Sequence, residues 1–231
     1  MRQPESFGAQ RHSRNRLGVL VASGQDGVGA SVTAALLARE AQADGARVLL
    51  VGPALRAQRI AAMFSIALPS TGNAPVRIAP DIHVCGSIPS LFDADVIISV
   101  PSARAQVLHD AVDELCAYTS PTSALVLVQS GAASLAAAFA VLKLILGRRP
   151  QCSASVAACG EADVSSLFDA AERWLGHPLL AAPAIPLDPT LPVALGAGIP
   201  LAEAVADTAL ITAAGALWSA LASSAYPGAL A

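Results

Sequence analysis

Short apolar runs alternate with stretches of helical periodicity along nearly the whole chain. The runs predict buried strands at about 17–22, 47–51, 82–85, 95–100, 124–128 and 153–158. Apolar positions repeat every three to four residues between these runs, and so predict helices at about 31–44, 103–118, 132–146 and 164–175. The alternation indicates an α/β fold with one doubly wound, mostly parallel sheet and helices on both faces.

The remaining segments have weaker patterns. A helix is predicted over 55–64, a loop rich in Pro, Gly, Ser and Asn over 68–80, and a last helix over 208–222. Gly45 and Gly147 are placed as the ends of the helices predicted at 31–44 and 132–146. The first two strands are expected to be parallel neighbours joined by a right-handed crossover. One domain is predicted over 17–223, with a basic arm at 1–16 and a tail at 224–231.

A glycine-rich turn joins the first predicted strand to the first predicted helix. Strand, G-x-x-x-x-G-K-[ST] and helix together form a phosphate-binding loop, in which backbone N–H groups and the helix dipole attract an anion. Gly24 and Gly29 fall at the two glycine positions, and Ser31 falls at the hydroxyl that would bind a metal. The candidate nucleotide-binding residues are therefore Gly24, Gln25, Asp26, Gly27, Val28, Gly29, Ala30 and Ser31.

The charges of this loop do not suit a phosphate. Ala30 stands at the lysine position, so the full positive charge of the motif is missing. Asp26 adds a negative charge, which at ~4 Å from a phosphate costs about 1 kcal/mol in water and about 4 kcal/mol at a surface-like dielectric. The spacing therefore indicates a nucleotide-binding ancestry more strongly than it indicates tight nucleotide binding.

Composition narrows the functional classes. The 231 residues are 54% hydrophobic and 4% aromatic, with a net charge of −3, which gives no electrostatic case for nucleic acid binding. Four cysteines without metal-ligand spacing predict buried thiols in a reducing cytoplasm. The N-terminal stretch has no apolar core, so no secretory signal is expected. The apolar stretch Ala132 to Leu146, about 15 residues, is too short to span a membrane.

Taken together, these segments resemble the MinD/ParA family of P-loop ATPases. Residues 21–31 align with the family's V-A-S-G-K-G-G-V-G-K-[ST], and residues 94–102 with its A-D-x-V-I-x-V-T-x-P-E. The tail motifs W-L-G, I-P-x-D and G-x-P-L are matched at 174–176, 185–188 and 198–201. Within the family, the closest likeness is to flagellar-number regulators of the FlhG type. The resemblance implies the P-loop fold, ATP with Mg²⁺ as ligand, and dimers that act on a protein partner.

The chain departs from the family wherever the family carries charge. Gln25 and Ala30 replace the two loop lysines, and Gly52-Pro53-Ala54 replaces the D-A-D that follows the second strand. The strand expected to end in the Walker B aspartate reads 82–86 and ends without a carboxylate. Of the groups that bind Mg²⁺ and phosphate in the family, only Ser31 remains. Because phosphoryl transfer depends on these charges, the combined loss predicts that hydrolysis is absent.

Two family features leave alternatives open. Gln129 follows the strand at 124–128, where the family carries an asparagine that contacts the base; it is either a base contact or a polar strand end facing water. The family's C-terminal helix binds membranes through a basic face, but residues 209–231 contain no Lys or Arg. Membrane association is therefore expected to be weak or absent, and this helix is expected to cover the sheet.

Three functional hypotheses follow. The favoured one is a degenerate member of the family that acts without hydrolysis, as a regulator or scaffold of flagellar or polar assembly, through a protein partner and with homodimerisation open. The alternative is a divergent ATPase that still binds ATP through the loop backbone and Ser31. A third is a simple α/β binding module in which the loop is structural or takes another anion. No catalytic residue is assigned, and no cofactor is assigned beyond ATP with Mg²⁺ as the resemblance implies.

Overall fold

An eight-stranded sheet lies between two layers of helices. The computed structural model describes residues 16–69, 74–206 and 208–225; the predicted basic arm, except Arg16, and residues 226–231 of the predicted tail lie outside them. The observed sheet and its two helical layers confirm the predicted fold class.

The strands and helices that the sequence predicts begin and end close to the predicted positions. The strands are β1 Leu17–Ser23, β2 Val48–Val51, β3 Val76–Ala79, β4 Ile82–Cys85, β5 Val96–Ser99, β6 Thr122–Val128, β7 Ser153–Ala158 and β8 Leu180–Ala181. The helices are α1 Ala30–Ala43, α2 Ala54–Met63, α3 Ala105–Tyr118, α4 Ala132–Arg148, α5 Ser165–Leu175, α6 Leu191–Gly196, α7 Leu201–Ala204 and α8 Ala209–Ala225. Of these elements, β3, β8, α6 and α7 are additional to the predicted ones.

The order of the strands places β1 near the middle of the sheet. The order is β3-β4-β2-β5-β1-β6-β7-β8, and every neighbouring pair is parallel except β3 with β4. The expectation that β1 and β2 are neighbours is wrong, because β5 lies between them and pairs with both. The crossover through α1 therefore skips one strand position, which a later strand fills.

The helices bury the two faces of the sheet in separate apolar cores. The face covered by α1, α2 and α8 contains Leu37, Leu50 and Ile98. The face covered by α3, α4 and α5 contains Leu20, Leu49 and Ile97. Successive strand residues point to opposite faces, so adjacent residues such as Leu49 and Leu50 enter different cores. Burial on both sides explains why the strands are continuously apolar.

Two local expectations differ from the structure, and two short helices were not predicted. Residues 68–80 contain the antiparallel strand β3, which forms the sheet edge beside β4, instead of loop alone. Gly147 lies inside α4, which continues to Arg148. The short helices α6 and α7 had no clear periodicity, because each is too short to repeat an apolar face. In the described residues, no helix is long and apolar enough to cross a membrane.

Helix α8 is fixed to α1 by a tryptophan. Trp218 is 7% exposed, and its indole N–H donates a 2.6 Å hydrogen bond to the Asp44 carboxylate at the end of α1. One turn earlier along α8, Gly215 faces the Glu40 carboxylate of α1. The last helix therefore covers the sheet, as the sequence predicts, and its position depends on a charge-assisted hydrogen bond as well as on apolar packing.

Trp218→Phe tests this bond. The substitution keeps an aromatic ring but removes the N–H, and we expect the free energy of unfolding to fall by about 1.5–3 kcal/mol, as for other hydrogen bonds to a charged group. Urea denaturation measures this change. Trp174→Phe is the matched control, because Trp174 is 70% exposed and its replacement should change stability by less than about 0.5 kcal/mol. Equal effects of the two substitutions would contradict the assigned role of Trp218.

Candidate functional site

The glycine-rich loop lies at the carboxyl end of β1 and runs directly into α1. Strand order extends from β1 towards both edges of the sheet, with β5 on one side and β6 on the other. In open α/β sheets, ligands bind outside the carboxyl ends of the strands at such a position. The structure thus places the predicted loop, residues 24–31, where the fold offers a binding crevice.

Two glycines give the loop its path. Gly27 and Gly29 have φ values of 87° and 97°, which side chains rarely allow, and Gly29 immediately precedes the first residue of α1. The Ser23 hydroxyl donates a 2.8 Å hydrogen bond to the Gln25 carbonyl, which fixes the start of the turn. The loop therefore has a defined conformation set by its own glycines and one side chain.

Gly24 is needed for a different reason. A Cβ at this position would lie 2.4 Å from both the carbonyl carbon and the Cβ of Ala137 on α4. Helix α4 thus packs directly against the backbone of the loop, and only glycine leaves it room. The first glycine of the motif is required by helix packing in this chain, whatever the loop binds.

The side chains of the loop differ in exposure. Gln25 and Asp26 are exposed, Ser31 is half-buried, and Val28 is buried. Ala30, which replaces the motif lysine, is 4% exposed and packs in the core beneath the loop. The position that would present a cation to phosphate therefore contributes apolar packing instead.

An arginine that the sequence analysis did not identify reaches the loop. Arg56, in the first turn of α2, places a guanidinium nitrogen 2.9 Å from a carboxylate oxygen of Asp26. Its side chain is 13% exposed, whereas that of Asp26 is 84% exposed. Burial lowers the pKa of Arg56, and the Asp26 carboxylate partly offsets that effect. Arginine stays charged at neutral pH even so, and the pair brings a half-buried cation to the loop.

The residues at the loop do not fit a magnesium ion. A metal beside Ser31 would need a carboxylate at the end of a strand next to β1, and β5 is followed by Val100 and Pro101. The expected position after β4 is wrong, because β2 and β5 separate β4 from β1. A Cβ on Gly52, after β2, would lie 3.0 Å from the Val100 carbonyl oxygen, so a carboxylate there would be crowded.

A cavity of about 240 Å³ opens beside the loop. Its lining brings Gln129, after β6, together with the loop residues Gly27 and Gly29. The Gln129 backbone N–H donates a 3.0 Å hydrogen bond to the Ser134 hydroxyl, which fixes the backbone at the end of β6. The rest of the lining is mostly apolar: Val28, Val32, Leu36, Ile185, Pro186, Leu187, Leu191, Pro192, Leu195 and Leu210.

The opposite wall of this cavity is the tail segment that begins at Ile185. Asp188 accepts hydrogen bonds from the backbone N–H of Thr190 at 2.8 Å and from its hydroxyl at 2.6 Å. These bonds lower the pKa of Asp188 and form the turn that precedes α6. Cys159 also lines the cavity, and burial raises the pKa of its thiol to about 11, so it is a poor nucleophile at neutral pH.

Other polar residues lie away from the loop. Asp93 and Asp95 form ion pairs with Arg47 at the amino ends of β2 and β5, whereas the loop lies at the carboxyl end of β1. Over 16–69, 74–206 and 208–225, no group of three or more His, Cys, Asp or Glu side chains could hold a metal ion. The loop, Arg56 and the cavity are therefore the candidate site.

Known structures share this fold. The chain is similar to MinD in the MinC:MinD cell division protein complex of Aquifex aeolicus, with a TM-score of 0.66 and 16% identity over 90% of this chain and 95% of that one. It is similar to a ParA family ATPase of Chlorobium tepidum, with a TM-score of 0.59 and 18% identity over 87% and 97% of the two chains.

A third similar structure contains a nucleotide. It is the septum site-determining protein MinD of Pyrococcus horikoshii complexed with Mg-ADP, with a TM-score of 0.61 and 16% identity over 93% of this chain and 96% of that one. No family model and no curated protein matches the sequence. The chain therefore has the fold of MinD/ParA ATPases, at identities that establish the fold alone.

Gly24→Ala tests the packing of the loop against α4. The added methyl group must displace backbone, so we expect the free energy of unfolding to fall by about 2 kcal/mol or more. Gly147→Ala on the same helix is the control: nothing lies within 4 Å of its Cβ, and it should gain about 0.5–1 kcal/mol. Chemical denaturation of both variants measures the difference, and an unchanged stability of Gly24→Ala would contradict the close approach.

Proposed function

We propose that this protein is a degenerate MinD/ParA-type protein that acts without ATP hydrolysis, as a regulator or scaffold. The observation that carries the proposal is the charge balance of the loop. Buried Ala30 occupies the lysine position, and the cation that does reach the loop, Arg56, is paired with Asp26. Phosphoryl transfer requires cations that neutralise the developing charge, and here the contacting cation is already neutralised.

The carboxyl ends of the neighbouring strands support the same proposal. Gly52 and Val100 offer backbone where a metal-binding carboxylate would be needed, and they approach each other closely. A carboxylate introduced at Gly52 would crowd the Val100 carbonyl oxygen, so a metal site there would require the backbone to shift. The retained features, Gly24, Gly27 and Gly29, support the fold and its turn and need no phosphate to explain them.

The proposed mode of action is binding to a protein partner in flagellar or polar assembly. The support is the likeness to FlhG-type regulators at the loop and tail motifs, and a structural neighbour that forms a complex with MinC. A homodimer is included in the proposal because proteins of the resembling family dimerise. We place this action in the cytoplasm, in agreement with the thiols of Cys85, Cys152 and Cys159, which are buried and unpaired.

Measurement of ATP turnover and binding tests the proposal. We expect turnover by the purified protein at the background rate, and no rise in melting temperature at millimolar ATP with Mg²⁺. A ligand present at 100 times its dissociation constant would add about 2.7 kcal/mol to stability, which a melting experiment detects. The proposal is wrong if turnover exceeds background and Ser31→Ala abolishes it, because Ser31 is the remaining hydroxyl of the motif.

A second candidate function is a divergent ATPase with weak or partner-dependent activity. The cavity beside the loop favours it, because its apolar lining and the Gln129 amide suit a planar base, and the MinD neighbour holds Mg-ADP. This function predicts that ATP raises the melting temperature and promotes dimerisation. Gln129→Ala should then weaken the binding of ATP more than the binding of inorganic triphosphate, since only ATP carries a base.

A further inference from the structure

We infer that the Asp26–Arg56 ion pair is an autoinhibitory contact that keeps anions out of the glycine-rich loop. Asp26 serves as the counter-charge of Arg56, so an external anion would have to replace this carboxylate to reach the guanidinium. The inference rests on the proposed loss of phosphate chemistry, and it adds the device that keeps the loop closed to anions. With this ion pair in place, the charge of Arg56 is neutralised by the loop itself and not by a bound ligand.

The geometry of the pair supports this role. Asp26 lies within the loop, between Gly24 and Gly27, and Arg56 extends to it from α2, thirty positions later in the chain. The 2.9 Å contact therefore ties the loop to a separate helix. Gly52 and Pro53 lead directly into α2, so the arginine lies two residues beyond Ala54, the last residue of the segment at the family's D-A-D position.

The two partners of the ion pair differ in burial. The Arg56 side chain on α2 is 13% exposed, whereas the Asp26 side chain in the loop is 84% exposed. A half-buried cation needs a counter-charge more than an exposed carboxylate does, because water screens and solvates the carboxylate. Loss of Asp26 would thus leave Arg56 unpaired beside a loop whose glycines remain in place.

Removal of the carboxylate has two effects that act together. It eliminates the repulsion between Asp26 and an incoming anion, and it frees the guanidinium to donate to that anion. Loss of Arg56 instead removes the cation and leaves the repulsion. The two single substitutions should therefore change anion binding in opposite directions, which a merely structural ion pair would not do.

Titration with inorganic triphosphate at low ionic strength tests the inference. Calorimetry is performed on the full chain and on Asp26→Asn, Arg56→Gln and the Asp26→Asn/Arg56→Gln double variant, with circular dichroism to show that each is folded. We expect the dissociation constant of Asp26→Asn to fall at least about tenfold below that of the unmodified chain. Arg56→Gln should show no gain, and the double variant should gain less than Asp26→Asn, because it loses the repulsion but has no guanidinium to donate.

Glu172→Gln is the matched control. It removes an exposed carboxylate on α5 that makes no ion pair within the described residues, and it changes net charge by the same amount. This control should not gain triphosphate binding, so a gain in both carboxylate variants would reveal a net-charge effect and overturn the inference. Equal binding by Asp26→Asn and the double variant, or no gain in Asp26→Asn, would also overturn it.

These outcomes are separate from those of the proposed function. ATP turnover by the unmodified chain tests the proposed absence of hydrolysis, whereas the gain of triphosphate binding in Asp26→Asn tests the autoinhibitory contact. A chain without turnover whose Asp26→Asn variant binds no triphosphate would retain the proposed function and refute the contact. Turnover by the unmodified chain would refute the proposed function directly.

Discussion

A half-buried positive charge requires a counter-charge, and in this protein the glycine-rich loop provides one from its own sequence. The contact between Arg56 and Asp26 joins α2 to the turn between β1 and α1. It therefore links the glycine-rich loop to the helix that follows β2. The shape of the loop and its charge depend on different residues. Glycines determine the backbone path of the loop, and the Asp26–Arg56 ion pair determines its local charge.

Small residues make the rest of the arrangement possible. Only 4% of the chain is aromatic, and the helices bury alanines such as Ala34, Ala35 and Ala138 against the sheet. Small side chains allow backbones to approach, and the contact of α4 with Gly24 is the tightest consequence of this near the loop. A densely packed interior tolerates changes in side-chain volume poorly and transmits the resulting strain. The loop therefore cannot be altered independently of α4, which packs against it.

Much of the fold could be predicted from the sequence because the strands are apolar on both faces. The run at 153–158 predicted β7 at its observed bounds, and the loop followed β1 as expected. The position of β5 between β1 and β2 could not be predicted, because sequence order does not fix which strand fills a skipped place. Strand β3 could not be recognised because turn-forming residues surround it and because Arg77 interrupts its apolar pattern. Arg77 is exposed, as a residue of an edge strand can be.

The position of the loop in the candidate site was predicted from the sequence, but the arginine that pairs with it was not. The spacing of Gly24, Gly29 and Ser31 located the loop, but Arg56 is thirty positions beyond Asp26 and belongs to no motif. The one available signal was a basic residue in the first turn of the helix after β2. Gln129 was placed correctly at a strand end, and only the fold shows that it shares a cavity with Gly27 and Gly29.

The two ends of the sheet constrain how another protein could attach to it. One edge is β3, which runs against its neighbour, and the other is β8, which pairs through only two residues. Short and irregular edges are poor templates for adding a strand from another chain. Recognition of this protein would accordingly rely on side chains presented by its helices and turns, and sheet extension would contribute little to complex formation.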